Sequence, residues 1–222
     1  MLAPWKTASM TLHARLAAYD ESPYDRMFHF SPRLNRVVHQ HMTCADFQSY
    51  PEAGAGFLVG SFVRNPYDRA YSGFQQLQSD IETMPGLTFA EPWIAELVQA
   101  QLAENWLQLF RAGFAFDPWM ESVTEAQVRE VGRNSNFPLH PAHYWTHVAG
   151  APFAGFVGRV ETFEADFAQF CNRAGIELPE PVNVNVRAAP GSRYAERMGR
   201  RAIDRINALF HDDFELFGYE RL

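Results

Sequence analysis

The first stretch of the chain whose residue types could bind a ligand or catalyse a reaction is "PWKTASMTL", which spans residues 4–12. One cation, Lys6, precedes a run of small and polar residues just before an amphipathic segment begins at Leu12. The small and hydroxyl residues of that run are Thr7, Ala8, Ser9 and Thr11, and Met10 lies between the last two. A loop that leads into a helix exposes backbone N–H groups and the positive end of the helix dipole, and together these bind phosphate-like anions. The stretch therefore predicts an anion-binding loop, and an ordinary helix start with an exposed lysine is the alternative.

A second stretch, "FLVGSFVRNPYDRAYSGF", spans residues 57–74 and places Arg64 after a short apolar run. Such a run is typical of a strand that is buried on both faces. Asn65 suits an N-cap and Pro66 a first turn, so a helix is predicted to begin there and to carry Ser72 two turns later. An arginine at the carboxyl end of a strand can bind a phosphate through paired hydrogen bonds, although a structural salt bridge is the alternative. Two further charged residues of the segment are predicted to form surface ion pairs, Asp68 and Arg69.

Two histidines lie in "RVVHQHMT", residues 36–43, a β-branched and alternating segment that predicts a strand. His39 and His41 are two residues apart and are expected on the same face of that strand. A histidine can act as a general base near neutral pH. His41 is favoured because it lies nearer the carboxyl end, with His39 as an alternative base or an orienting partner. A purely structural role for both is the remaining alternative.

Three more histidines lie in "LHPAHYWTH", residues 139–147. His143 and His147 have the i, i+4 spacing that can bind zinc on a helix. However, the H-E-x-x-H pattern is missing and the cluster contains no carboxylate, so no metal site is predicted.

The two anion-binding stretches together resemble the sulfotransferases that use PAPS (3′-phosphoadenosine 5′-phosphosulfate). The resemblance is closest to the carbohydrate branch, which includes heparan 2-O- and chondroitin-type enzymes. The family's "PKTAGTSL" or "PKTASTS" loop corresponds to "PWKTASMTL", in which Trp5 is an additional residue, and its "RNPYDRLVSxF" segment corresponds to "RNPYDRAYSGF". The resemblance implies that the loop of residues 6–11 binds the 5′-phosphosulfate, and that Arg64 and Ser72 bind the 3′-phosphate.

Further segments extend the resemblance over residues 4–219, with a loosely matching region between 76 and 150. "HQHMTCADF" is similar to the family segment that supplies a catalytic histidine, and "FVGRVETFEADFAQF" to its "vGRxExLxxDf" segment. "VNVN" and "FHDDFELFGY" are similar to its C-terminal pattern. One departure is that only Met1–Ala3 precede Pro4, which predicts either a very short first strand or a start further upstream.

The alternation of strands and helices predicts an α/β fold with a central, mostly parallel sheet flanked by helices, and the resemblance implies that it is a P-loop-like sulfotransferase fold. Residues 1–222 are expected to form a single domain. Strands are predicted over 36–43, 57–63 and 153–160, and a loop over 179–193. Helices are predicted over 11–18, from Asn65 onward, over 91–111, over 161–175 with an end at Gly175, and over about 194–211.

Composition limits the classes of partner. A formal net charge of −7 argues against nucleic-acid binding. No apolar run of about 18 residues occurs, so no membrane span is expected. The two cysteines, Cys44 and Cys171, do not form a disulfide framework and favour a cytoplasmic location.

The resemblance implies a PAPS-dependent sulfotransferase that moves a sulfuryl group in line to a hydroxyl, without a metal. Lys6 is the expected cation at the leaving group and His41 or His39 the base. The acceptor is expected to be a small molecule or a carbohydrate or glycoconjugate. A P-loop-like kinase and a non-catalytic nucleotide- or sugar-binding protein are the alternatives, and the missing Walker A glycines argue against the kinase.

Overall fold

The computed structural model describes residues 1–21, 28–54, 56–83, 91–132, 136–182 and 197–222, and the structural statements below concern these residues. The described chain combines helices with short strands. The helices are α1 (Ser9–Leu16), α2 (Cys44–Gln48), α3 (Pro66–Thr83), α4 (Pro92–Arg111), α5 (Phe116–Ser122), α6 (Glu125–Arg129), α7 (Phe163–Ala174), α8 (Arg200–Leu209) and α9 (His211–Phe217). The strands are β1 (His29–Ser31), β2 (Arg36–Val38), β3 (Gly60–Val63), β4 (His147–Val148), β5 (Ala151–Pro152) and β6 (Phe156–Arg159). None of the described helices is long and apolar enough to cross a membrane.

The parallel pair β3 and β6 lies at the centre of the first core. Strand β3 is buried along its whole length and pairs with β6 from Gly60 opposite Phe156 to Val63 opposite Arg159. Helices α1 and α7 cover this pair with apolar side chains, including Leu12. The segment before Pro4 takes the place of a further strand, because the Leu2 N–H donates to the Gly60 carbonyl at 2.9 Å.

The predicted central, mostly parallel sheet is smaller than expected. Within the described ranges, the strands form three separate two-stranded sheets, of which only the β3–β6 pair is parallel. The pairs β1–β2 and β4–β5 are antiparallel. The predicted strands over 57–63 and 153–160 are present but shorter, and the strand predicted over 36–43 ends at Val38. The rest of that segment turns, because the His41 N–H bonds the ring of His39 instead of a neighbouring strand.

Most helix predictions agree with the structure. Asn65 caps α3, since its Oδ1 accepts the Tyr67 N–H at 2.9 Å. Helix α4 begins one residue later than predicted, and α7 ends at Gly175, which adopts the left-handed conformation with φ 68°. The last predicted helix begins at Arg200 within the described residues, and Phe210 separates it from α9. Residues 183–196, which include most of the predicted loop, lie outside the described residues.

The larger core is helical. Helices α3, α5, α8 and α9 bury a shared set of side chains that includes Leu77, Trp119, Ile206 and Phe214. Helix α3 therefore has one face in this core, while its first residue comes only three positions after the last residue of β3. This position makes α3 the element that connects the parallel strand pair to the helical half of the protein.

Candidate active site

The first loop adopts an unusual backbone conformation. Lys6 and Ala8 have φ values of 65° and 63°, in the left-handed region that residues with side chains rarely occupy. Each such residue costs about 1–2 kcal/mol. Alternation of left- and right-handed residues turns successive N–H groups toward one side, an arrangement that binds anions. The Thr7 side chain is fully buried and donates to the Pro4 carbonyl at 2.9 Å, which holds the loop in place.

Helix α1 begins at the end of this loop. Its N-cap residue, Ala8, makes no side-chain hydrogen bond to the first turn, whose N–H groups have no partner within the helix. Ser9 and Thr11 are buried on α1, whereas Met10 is 45% exposed. The loop and the helix start thus provide the features expected for an anion-binding element, while the binding roles of these residues stay predictions.

Lys6 reaches across to α3. Its Nζ donates to Gln76 Oε1 at 3.0 Å, and Gln76 lies one helical turn beyond Ser72. Arg64 is half-buried between β3 and the cap of the same helix. The side chains of Arg64 and Ser72 make no hydrogen bond or ion pair within the described part of the chain, so the structural salt bridge for Arg64 is not formed there. Both predicted phosphate-binding segments therefore adjoin one helix.

His41 and His39 lie in the turn after β2, and their rings are 5.2 Å apart and perpendicular. His41 Nδ1 lies 2.6 Å from the Ala3 carbonyl oxygen. A carbonyl only accepts hydrogen bonds, so Nδ1 carries the proton and Nε2 is the basic atom of the neutral ring. The His41 N–H donates to His39 Nδ1 at 3.0 Å, so the proton of a neutral His39 is on its Nε2. The two histidines are brought together by a turn and not by the face of a strand.

Two tryptophans enclose His41. The ring of Trp5 stacks on His41 with a centroid distance of 4.1 Å and an interplanar angle of 24°. The Trp145 indole N–H donates to the His41 carbonyl at 3.2 Å. Trp5 is the additional residue that separates Pro4 from Lys6 in the first loop, and its contact with His41 gives this departure a structural role.

Burial is the main influence on the charge of His41. It lowers the pKa of His41 well below the usual 6.5, and the neighbouring His39 acts in the same direction. The charge of Lys6 also lowers this pKa, which places the ammonium within electrostatic range of the ring. His41 is therefore neutral at pH 7, as a general base must be. A cavity of about 10 Å³, lined by Trp5, both histidines and Trp145, has room for about one water molecule beside it.

The prediction that Arg69 forms a surface ion pair is wrong. Arg69 is 1% exposed, and it donates to Asp213 Oδ2 at 3.1 Å and to the His140 carbonyl at 2.7 Å. The signal for burial was its place on the apolar stripe of α3, four residues before Gly73 and eight before Leu77.

Asp213 completes this buried network. It accepts hydrogen bonds from the Ala142 N–H at 2.7 Å and from the N–H and Nδ1 of His143 at 3.0 and 2.8 Å. Burial raises the pKa of Asp213, but the hydrogen bond from His143 and the charge of Arg69 outweigh it and leave the pKa below its usual range. The network ties α3, the turn at 142–145 and α9 together.

The three histidines of residues 139–147 are each hydrogen-bonded to a different group of the protein. His143 bonds Asp213, His140 Nδ1 bonds the Val128 carbonyl, and His147 Nδ1 bonds the Thr146 hydroxyl. Residues 142–145 form a 3₁₀ turn, so the i, i+4 pair is not on an α-helix. Among the described residues, no group of three or more His, Cys, Asp or Glu side chains is placed to bind a metal ion.

Two arginines of α8, Arg201 and Arg205, also have partners within the described residues. Arg205 donates twice to the Val123 carbonyl, at 3.0 and 2.6 Å, at the end of α5. Arg201 is exposed and lies 3.8 Å from Glu121. These contacts give Arg205 a structural role and leave Arg201 on a solvated face.

Comparison with known proteins tests the assignment independently. A family model described as "Sulfotransferase family" matches residues 6–220. Comparisons with curated proteins and with solved structures found no significant match. The matched range contains the first loop, the turn with both histidines, the α3 segment and the Arg69–Asp213 network. Because the match extends over nearly the whole chain, the protein belongs to the sulfotransferase family, whose members catalyse sulfuryl transfer.

Proposed function

We propose that this protein transfers a sulfuryl group from PAPS to a hydroxyl of a carbohydrate or glycoconjugate. The observation that carries the proposal is the bond from Lys6 to Gln76, because it joins the first loop to the helix that follows Arg64 and bears Ser72. The family resemblance assigns these segments to opposite ends of one nucleotide. Because both segments adjoin helix α3, they are close enough to contact the two ends of one nucleotide.

The residues around the bond between Lys6 and Gln76 suit a sulfuryl donor with several negative charges. The loop of residues 6–11 offers backbone N–H groups and the start of α1 to the 5′-phosphosulfate. The family resemblance assigns the 3′-phosphate to Arg64 and Ser72, which are both half-buried. PAPS, when bound, supplies the sulfuryl group and leaves as PAP (3′-phosphoadenosine 5′-phosphate).

The chemical step divides between a cation and a base. The acceptor oxygen forms a bond to sulfur as the bond between sulfur and the phosphate oxygen breaks. Lys6 stabilises the negative charge that develops on that phosphate oxygen, so its effect is greatest in the transition state. His41 Nε2 accepts the proton of the acceptor hydroxyl, because its Nδ1 proton is held by the Ala3 carbonyl.

His39 has a supporting role in this proposal. Its Nδ1 accepts the His41 N–H, which fixes the turn that carries both rings. His39 remains the alternative base, since its ring is only 5.2 Å from that of His41.

The acceptor class rests on the family resemblance alone. A net charge of −7 favours a small or weakly charged acceptor over a long polyanion, which would require an extended basic groove.

PAP binding tests the proposal directly. PAP should raise the melting temperature of the protein, because a ligand that binds only the native state stabilises it. Arg64→Ala should weaken PAP binding by about 1.5–3 kcal/mol, the scale of a hydrogen bond to a charged group. Isothermal calorimetry provides the affinities, and Arg201→Ala, which removes an exposed arginine, should leave them unchanged.

Three outcomes would contradict parts of the proposal. Stabilisation by ATP but not by PAP would favour a kinase. Unchanged PAP affinity in Arg64→Ala would remove Arg64 from the nucleotide site. PAP binding without sulfuryl transfer to any hydroxyl acceptor would identify a non-catalytic binding protein.

A further inference from the structure

Lys6 is the only lysine in the chain, which also contains eighteen arginines. Lysine presents a compact ammonium with three N–H donors on a flexible stem, whereas arginine presents a planar fork. A flexible ammonium must be held in place if it is to act at one oxygen atom. The question is therefore which residue of the protein holds it.

Gln76 is the residue that contacts the ammonium directly. Its Oε1 accepts from Lys6 Nζ at 3.0 Å across 70 positions of sequence, so the bond joins two separate elements of the fold. Gln76 is half-buried on α3, one turn beyond Ser72. The bond uses one of the three N–H donors of Lys6.

Asp80 fixes the orientation of the Gln76 amide. Asp80 is 4% exposed and lies one turn further along α3, where its Oδ1 accepts from Gln76 Nε2. An ionised carboxylate only accepts hydrogen bonds, so the amide nitrogen must face Asp80 and the amide oxygen must face Lys6. The buried negative charge also polarises the amide and makes its oxygen a stronger acceptor.

We propose that Gln76 is a positioning residue for Lys6 and that Asp80 acts through Gln76 to fix its orientation. This inference rests on the proposed function, in which Lys6 acts at the leaving phosphate oxygen. Without Gln76, the ammonium loses this acceptor, and the Lys6 side chain, which has four rotatable bonds, is less restricted. Lys6 then reaches the reacting oxygen less often, while Arg64, Ser72 and the loop backbone still bind the nucleotide.

The test compares Gln76→Met with Gln75→Met. Methionine has nearly the same length and helix propensity as glutamine, so both variants should keep α3 intact. Gln75 is the neighbouring residue on α3, and its side chain makes no hydrogen bond within the described residues. Asp80→Asn is a third variant, which retains an oxygen acceptor but removes the buried charge.

Because the chain has one lysine, the environment of its side chain can be read without turnover. Reductive methylation of the Lys6 amine, followed by peptide mapping with mass spectrometry, should be several-fold faster in Gln76→Met than in the wild type. Asp80→Asn should raise the methylation rate of Lys6 by a smaller factor, and Gln75→Met should leave that rate unchanged. Equal methylation rates in the wild type and Gln76→Met would overturn the proposed placement of Lys6.

Steady-state kinetics provide the second readout. In Gln76→Met, kcat should fall by about three- to tenfold, the scale of one hydrogen bond, while the Kd for PAP stays within about twofold. A merely structural role would lower PAP affinity and kcat together, and an unchanged or higher kcat would contradict the positioning role. If the wild type fails to transfer sulfuryl groups, the proposed function fails, but the methylation rates still decide whether Gln76 holds Lys6.

Discussion

At the scale of single residues, the site depends on how the fold sets the protonation of the two ring nitrogens of His41. The Ala3 carbonyl holds the Nδ1 proton of His41, and burial keeps its Nε2 unprotonated at neutral pH. Trp5 contributes to that burial by stacking on the ring. The additional residue in the first loop therefore shields the candidate base from water, beside the only lysine of the chain.

The lowered pKa of His41 predicts an unusual pH profile. A base must be deprotonated, so kcat/KM should stay constant from pH 7 to below 6.5 and fall only as the pH approaches the lowered pKa of His41. Trp5→Ala should hydrate the ring, raise its pKa and move this acid limb upward toward 6.5. Steady-state kinetics over a pH series measure this acid limb for the wild type and for Trp5→Ala.

Trp93→Ala, which removes a tryptophan that is 43% exposed, is the matched control and should leave the profile unchanged. An acid limb that does not respond to Trp5→Ala, or that persists in His41→Ala, would assign the titration to another group.

At the scale of elements, the β3–β6 pair carries Arg64 to its position at the start of α3. The Phe62 ring lies over Gly158 of the paired strand. A Cβ at Gly158 would lie 2.6 Å from Phe62 Cε1, which is too close for real atoms. Glycine at this place in β6 therefore allows the buried strand β3 to pack closely. This packing also fixes the end of β3 and so the position of Arg64, two residues beyond Phe62.

Gly158→Ala should destabilise the protein by about 1–3 kcal/mol, the cost of overpacking a well-packed core. Urea unfolding measures the change in the free energy of unfolding. Gly132→Ala is the control, since a Cβ there has no atom within 4 Å, and it should cost much less. Equal effects of the two substitutions would show that the contact with Phe62 does not limit the packing.

At the scale of the whole molecule, the Arg69–Asp213 pair joins distant parts of the chain. The two residues are 144 positions apart, and each side chain is 1% exposed. Through Asp213 the network also holds the backbone of Ala142 and His143, close to Trp145, which bonds His41. The helix that carries the candidate nucleotide-binding residue Ser72 and the turn that carries the candidate base are thus connected through one buried ion pair.

Asp213→Asn should destabilise the protein by about 3–5 kcal/mol, because it leaves the buried charge of Arg69 uncompensated. The pKa of Asp213 is lowered in the folded protein, so its ionisation stabilises the fold above the usual value of 3.8 and this contribution is lost as the pH falls through the lowered pKa. The difference in free energy of unfolding between the wild type and Asp213→Asn should therefore be largest near neutral pH and shrink below pH 3.8.

Asp212→Asn removes a neighbouring exposed carboxylate and should have little effect at any pH. A wild-type advantage over Asp213→Asn that is the same at pH 7 and pH 3 would show that the charge of Asp213 does not stabilise the fold.

Features governed by short-range chemistry were predictable from the sequence. Asn65 and Pro66 begin α3, Gly175 ends α7, and the loop around Lys6 leads into α1 as expected. Capping, backbone conformation and helix periodicity depend on residues only a few positions apart, so the sequence contains them directly. The resemblance to sulfotransferases rests on segments of this local kind, and the family match agrees with it.

Features that depend on distant partners were decided only by the tertiary structure. The burial of Arg69, the bond from Lys6 to Gln76 and the stacking of Trp5 on His41 all join separate elements. The strand at 36–43 is shorter than its pattern indicates because a strand needs a neighbour to accept its hydrogen bonds, and His41 instead bonds His39. Desolvation and strand pairing are properties of the assembled fold, so no window of the sequence contains them.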